Sequence, residues 1–309
     1  MKNNTSTALS PRQQATSGRW TVGLVIFAFL AFVSLASHLN AQEKSFLWKV
    51  KSDKGTIYIL GSIHYLKREN YPLKKSIQEA FENSRTLVLE IDPQRGTPER
   101  AQQVMLEKAL YRDGTSLQQS ISPETYQLAE QRARELGIDL LQMSRMKPWF
   151  VAFSLTSVKL QKLGFDPNFG LDRVLADQAK NGGKAIRGLE TLEFQIGLLD
   201  QFSLPEQDSM LRQTLNELDL LDKSLAQVVQ SWNSGDARAL EQLLLVGMRE
   251  YPEIYKKIVI DRNRRWLPDL VKMLEQGEKA LVVVGAAHLV GKNGVIELLK
   301  QRGYTVEQL

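Results

Sequence analysis

The chain contains no cysteine. That excludes disulfides, a thiolate nucleophile, a thiolate metal site and a lipid-modified cysteine. Any metal would have to be held by His, Asp, Glu or backbone oxygen. Histidine is almost as scarce, with three in 309 residues. Several signatures are also missing. There is no Gly-x-Ser-x-Gly nucleophile elbow, no phosphate-binding P-loop, no dinucleotide fingerprint and no His-Glu-x-x-His zinc motif. No low-complexity linker divides the chain after its first 41 residues.

What is present begins with a leader. Lys2, Arg12 and Arg19 precede an uncharged apolar run from Thr21 to Ala36, and small residues follow up to Ala41. This describes either a cleaved secretory signal or an uncleaved membrane anchor through residues 21–36. Both send the remainder, residues 42–309, across a membrane, to a periplasmic, secreted or inner-membrane-anchored location. The leader carries three basic residues and no acid, which leaves 37 basic against 35 acidic residues. The formal charge of +5 therefore belongs largely to the leader, and a nucleic-acid partner is not expected. His38 also lies there, so residues 42–309 hold only His64 and His288.

Both histidines stand three residues after a glycine, in Gly61-Ser62-Ile63-His64 and Gly285-Ala286-Ala287-His288. Each motif follows an apolar, β-prone run: Thr56–Leu60 and Lys279–Val284. Phe46–Ser52 and Thr56–Leu60 flank Asp53-Lys54-Gly55 and predict a hairpin. Further strands are expected at Thr86–Asp92, Lys184–Glu190 and Tyr304–Leu309. Helices are expected near Leu73–Asn83, Pro148–Leu163, Phe169–Lys180 and Gly294–Arg302, with residues 193–276 mostly helical. The fold class is α/β, a mixed sheet with many flanking helices. A strand, Gly-x-x-His, helix, strand order occurs twice and raises the prospect of two related halves. Glycine is expected to let the backbone turn sharply where each strand ends. The histidine would then project into a cleft beyond the carboxyl ends of the strands, placed for metal binding or proton transfer.

Four other residues are candidates. Glu90 interrupts the apolar strand Leu87–Ile91 and must be paired, metal-bound or at the strand end, because a bare buried charge is costly. Asp92 lies two residues on. Glu190 ends a second strand, either as a site carboxylate or as a helix N-terminal charge. Arg262 and Asn263 belong either to a solvated basic face or to a site, with Arg262 stabilising an oxyanion and Asn263 orienting a neighbour. The apolar segment 148–163 reads as a buried helix or a membrane-associating one.

These motifs, taken with Leu89-Glu-Ile-Asp92, Gly170-Leu171-Asp172, Gly188-Leu-Glu-Thr191 with Gln195, Asp261-Arg-Asn263 and Val284-Gly-Ala-Ala-His288, resemble the TraB/GumN family, to which PrgY and Tiki are related. The resemblance runs over about residues 45–309. It implies an α/β fold similar to erythromycin esterase and the ChaN haem-binding protein. It also implies an active site containing His64, Glu90, Arg262, Asn263 and His288, with Glu190 at a matching position. Tiki members are metal-dependent proteases, and TraB-like members are linked to inactivation of peptide pheromones.

The leading expectation is an exported metal-dependent hydrolase of the peptidase kind. His64, His288 and a carboxylate, Glu90 first and Glu190 next, would hold one Mn, Co or Zn ion. The first alternative is a metal-free esterase or amidase with His64 as general base. The second is a non-enzymatic binder of a peptide, haem or a cell-surface component.

Overall fold

The core of the sheet is written in Ala280–Gly285, where five successive apolar residues are buried. A strand apolar on both faces belongs in the middle of a parallel sheet. It takes that position in the computed structural model, which describes residues 44–309 apart from 94, 96, 97 and 250. Residues 1–43, with the expected leader, His38 and the 21–36 run, lie outside the described residues. Six strands form one sheet: β1 Leu47–Lys51, β2 Thr56–Ser62, β3 Thr86–Ile91, β4 Ala185–Glu190, β5 Ala280–Gly285 and β6 Thr305–Gln308. Their spatial order is β4-β3-β5-β2-β1-β6. β4, β3, β5 and β2 are mutually parallel. β1 alone runs against them, paired antiparallel to both β2 and β6.

The predicted hairpin is β1–β2. The Ser52 hydroxyl closes its turn by accepting from the N–H groups of Lys54 and Gly55. The twofold element order is also present, since Lys75–Glu82 follows His64 and Val295–Gln301 follows His288. The return strands nevertheless land differently. β3 lies beside β5, while β6 lies on the far edge beside β1. The chain therefore leaves the adjacent ends of β2 and β5 in opposite directions. Such a switch point opens a crevice at the carboxyl edge of a parallel sheet.

Helices cover both faces. Val88 and Leu89 are neighbours on β3 and point oppositely. Leu89 shares a cavity with Ala176 of the helix Leu171–Asn181. Val88 faces Asp269 and Met273 of the helix Asp261–Glu275. The helix Pro148–Lys162 buries Trp149, Val151, Ala152 and Leu155. It packs with Ala129, Ala133, Leu211 and Leu215 into a second apolar cluster, so the buried-helix reading holds. Among the described residues no helix is long and apolar enough to cross a membrane.

Candidate active site

The carboxyl edge of the sheet collects the chemistry. β3 carries Glu90 in its last turn of pleat, β4 ends on Glu190, and β2 and β5 run on to His64 and His288. Ser62 pairs with Gly285, so the two Gly-x-x-His motifs lie on adjacent strands, staggered by one residue. Their glycines act differently from the expectation. Neither Gly61 nor Gly285 has positive φ, and Gly285 is at −51°. What they supply is space. A Cβ on Gly61 would stand 2.2 Å from the Phe46 ring. A Cβ on Gly285 would stand 3.2 Å from Glu90 Oε1, 3.6 Å from His288 Cδ2 and 3.7 Å from His64 Nε2. Both rings and the carboxylate thus converge over a bare stretch of backbone.

Arg262 is at the centre, not on a solvated face. Its side chain is 8% exposed. The helix carrying it follows a π-helical turn, Lys256–Ile260, a feature common near functional sites. Nε donates to both oxygens of Glu190, at 3.2 and 3.0 Å. Nη2 donates to Glu90 Oε2 at 2.6 Å and to Glu190 Oε2 at 2.8 Å. Nη1 donates to His288 Nε2 at 3.0 Å and to the Ile258 carbonyl at 3.3 Å. The guanidinium also lies over the Trp266 ring, 4.8 Å from its centroid. A guanidinium has five N–H groups, and all five are spent here. Arg262 therefore has none to give an oxyanion, and that expected role is replaced by an organising one. It pairs two buried carboxylates and orients His288.

The pairing fixes the His288 tautomer. Arginine only donates, so Nε2 is the unprotonated acceptor. Nδ1–H then donates to Asn263 Oδ1 at 2.7 Å. The Asn263 amide nitrogen donates to the carbonyls of His288 and Asn293, at 3.1 and 2.8 Å, so its oxygen must face the ring. Burial, helped by the charges of Arg262 and His64, pushes the His288 pKa down to about 3 against the pull of Glu90. Glu90 is held at about 2. Burial works the other way there, and the positive charge of its neighbours and the Gly285 N–H, 2.7 Å from Oε1, outweigh it.

Both shifts weaken the fold in acid. The contribution of Glu90 is present above its ordinary 4.5 and is lost as the pH falls through about 2. His288 resists a proton that the unfolded ring accepts below 6.5, so stability also falls from there toward about 3. In a histidine NMR titration the His288 ring should stay neutral from about pH 8 to 5. A His288 midpoint near 6.5 would contradict the network.

His64 faces the other helix. A Cβ on Gly170 would lie 2.3 Å from the His64 carbonyl oxygen. Only glycine lets the helix Leu171–Asn181 dock there, with Leu171 N–H donating to the Ile63 carbonyl at 3.1 Å. Docking brings Asp172, in the first turn, to His64 Nδ1 at 3.1 Å. The ring opens onto the cleft, its side chain 57% exposed. Partial burial lowers its pKa. The Asp172 hydrogen bond and charge, with Glu90, more than reverse this and raise it to about 9.

All six candidates meet at this edge. Three participants were not singled out: Asp172, Gln195 and Ser62. Gln195 donates to Glu90 Oε2 at 2.9 Å and Glu190 Oε2 at 3.2 Å. The available signal was the resemblance itself, since Asp172 and Gln195 are among its matching residues, each in the first turns of a helix. Asp92 instead pairs with Arg95 at 3.5 Å.

The expected two-histidine, one-carboxylate metal set does not fit these donors. Both His288 nitrogens are committed to Arg262 and Asn263. Both Glu190 oxygens accept from Arg262, and Glu90 accepts from Arg262, Gln195 and Gly285. A fixed cation already stands where a dication would have to approach. Among the described residues no group of three or more His, Asp or Glu side chains converges as a ligand set.

The uncharacterized protein YbaP of Escherichia coli (strain K12) is 27% identical over 256 residues, covering 79% of this chain and 87% of that protein. An uncharacterized protein of Treponema pallidum (strain Nichols) is 23% identical, covering 88% of this chain and 84% of its own length. Metalloprotease TIKI2 of Danio rerio is 24% identical across 85% of this chain, which spans 60% of that relative. No solved structure matches. The TraB/PrgY/gumN family matches residues 46–308, nearly all of the described chain, and the protein belongs to that family.

Proposed function

We propose that this protein is a hydrolase of amide or ester bonds, acting on a peptide or small-molecule substrate by acid–base chemistry at His64. One observation carries the reading. Among the ring nitrogens at this edge, His64 Nε2 is the one without a hydrogen-bond partner, on a ring that lines the cavity and whose Nδ1–H is held by Asp172. Neutral His64 takes a proton from water through Nε2 as the water attacks the carbonyl carbon. Asp172 stabilises the resulting imidazolium. The imidazolium then gives that proton to the departing amine or alkoxide, and the ring is neutral again. Glu90 lines the same cavity beside His64, and Arg262, which also pairs with His288, holds it in place. The leader around residues 21–36 supports a periplasmic or secreted place of action.

Because His64 rests near pKa 9, the base form is scarce at neutral pH. The value of kcat/KM should rise with pH and level off above about 9. A rate that instead falls through that range would overturn the base role.

The name of the TIKI2 relative favours a second reading, a metal-dependent protease. Chelation separates the two. Hydrolysis of a peptide or ester library should survive extensive dialysis against EDTA. Loss of turnover restored by Mn, Co or Zn would establish the metal-dependent reading instead.

A further inference from the structure

A cavity of about 420 Å³ opens beside His64, between the strand ends and the helix Leu171–Asn181. Its inner wall is Leu89 of β3, Val283 of β5 and Ala176 of the helix, with Ile91 beyond Leu89. These residues present no hydrogen-bonding side chain, so a charged group pushed among them would lose its water without compensation. His64, Glu90, Asn168, Asp172, Arg173 and Gln195 also line the cavity, and beside them stands Ser62. It is 3% exposed and lines the same cavity. Its hydroxyl has no hydrogen-bond partner, whereas most of the buried polar side chains at this edge are paired. A buried hydroxyl left without a partner is costly, and here it flanks the space that leads to His64 and Glu90.

We propose that this cavity is a specificity pocket for one apolar side chain of the substrate, and that Ser62 bonds the adjoining main-chain amide. The proposal rests on the hydrolase reading and adds its substrate class: amides or esters with a leucine- or phenylalanine-like group beside the cleaved bond. The volume falls at the lower end of small-molecule sites, which span roughly 300–1,000 Å³. It suits a single side chain with its amide better than an extended lipid tail. Ala176 sets the depth, because any larger residue there grows into the space from the helix side.

The experiment is binding, read without turnover. N-acetyl-leucinamide, N-acetyl-phenylalaninamide, N-acetylglycinamide and N-acetyl-lysinamide are titrated into the full chain and followed by NMR chemical shifts. The leucine and phenylalanine compounds should bind at least tenfold more tightly than the glycine and lysine ones. Ala176→Leu should remove that preference, and Ala176→Val, a smaller intrusion less disturbing to folding, should reduce it. Ser62→Ala should weaken the apolar compounds about fivefold, with their order unchanged. Affinities that do not depend on the side chain, or a preference that persists in both Ala176 variants, would overturn the pocket. Selective binding without hydrolysis of any amide or ester would sink the hydrolase reading and leave the pocket standing. Hydrolysis indifferent to the apolar side chain would do the reverse.

Discussion

Replacing Arg262 with methionine should remove about 3–5 kcal/mol of folding stability, the cost of stripping the partner from a buried ion pair. The argument comes from what remains. Glu190 is 1% exposed and takes three of the guanidinium's N–H contacts. Glu90 keeps Gln195 and Gly285 but loses its nearest cation. Two carboxylates would then face each other across Gln195 with no positive charge between them. For a domain of this size, the loss corresponds to a drop in unfolding midpoint of roughly 6–20 °C. The Arg262→Met, Glu190→Gln double variant should recover part of it, because the second change removes one of the stranded charges. A double variant no more stable than Arg262→Met would show that the guanidinium contributes by packing on Trp266 rather than by charge. Arg262→Lys should rescue little, since an ammonium cannot reach both carboxylates and His288 with the same planar geometry.

The second large effect is on rate. His64→Gln should lower kcat by about 10²–10⁴, the range typical of a lost general base. The unfolding midpoint at neutral pH should move little, because the ring is largely open to solvent. Stability against pH provides an independent check. A histidine whose pKa is raised in the fold stabilises it fully below the ordinary 6.5, and that contribution disappears as the pH rises through about 9. The wild-type protein should therefore lose a small increment of stability between those values, and His64→Gln should lack it. Asp172→Asn should bring the kinetic midpoint down from about 9 and lower kcat while sparing KM. An unchanged pH profile in Asp172→Asn would remove the dyad from the mechanism.

Much of this fold was legible in the sequence because its strands are written in two different ways. Ala280–Gly285 is apolar throughout, and Thr56–Ser62 runs straight into its motif. The hairpin turn has a Gly at its close. The helix Pro148–Lys162 opens on a proline and is followed by Gly164 at φ +82°. Strand order was not legible, because nothing local to β3 records that it lies beside β5 rather than β2. The same limit applies to the site. Glu90 is conspicuous as a charge in an apolar strand. Arg262 sits in Asp261-Arg-Asn-Arg-Arg265, where Arg264 and Arg265 are exposed, and only the packing of the helix separates it from those two. Asp172 and Gln195 look like ordinary helix residues until the helices dock. The motif glycines were legible in place but not in purpose, because a requirement for empty space depends on what fills the surroundings. The ring that crowds Gly61 belongs to Phe46, just before the neighbouring strand β1, and the carboxylate that crowds Gly285 belongs to Glu90, far away in sequence.

The pairing of β2 with β5 has a consequence for when the protein can function. It joins the first described strands to the last part of the chain, and the contacts that make the site span most of its length. Such contacts are slow to form, because a long loop must close before they return any stability. During synthesis β2 and β3 emerge early, each with a hydrophobic edge waiting for β5. The cell must therefore shield a half-built sheet until β5 is made. A chain ended before Ala280 would keep His64, Glu90 and Arg262 yet assemble no site. For the cell, this is a protein whose site exists only once β5 is in place.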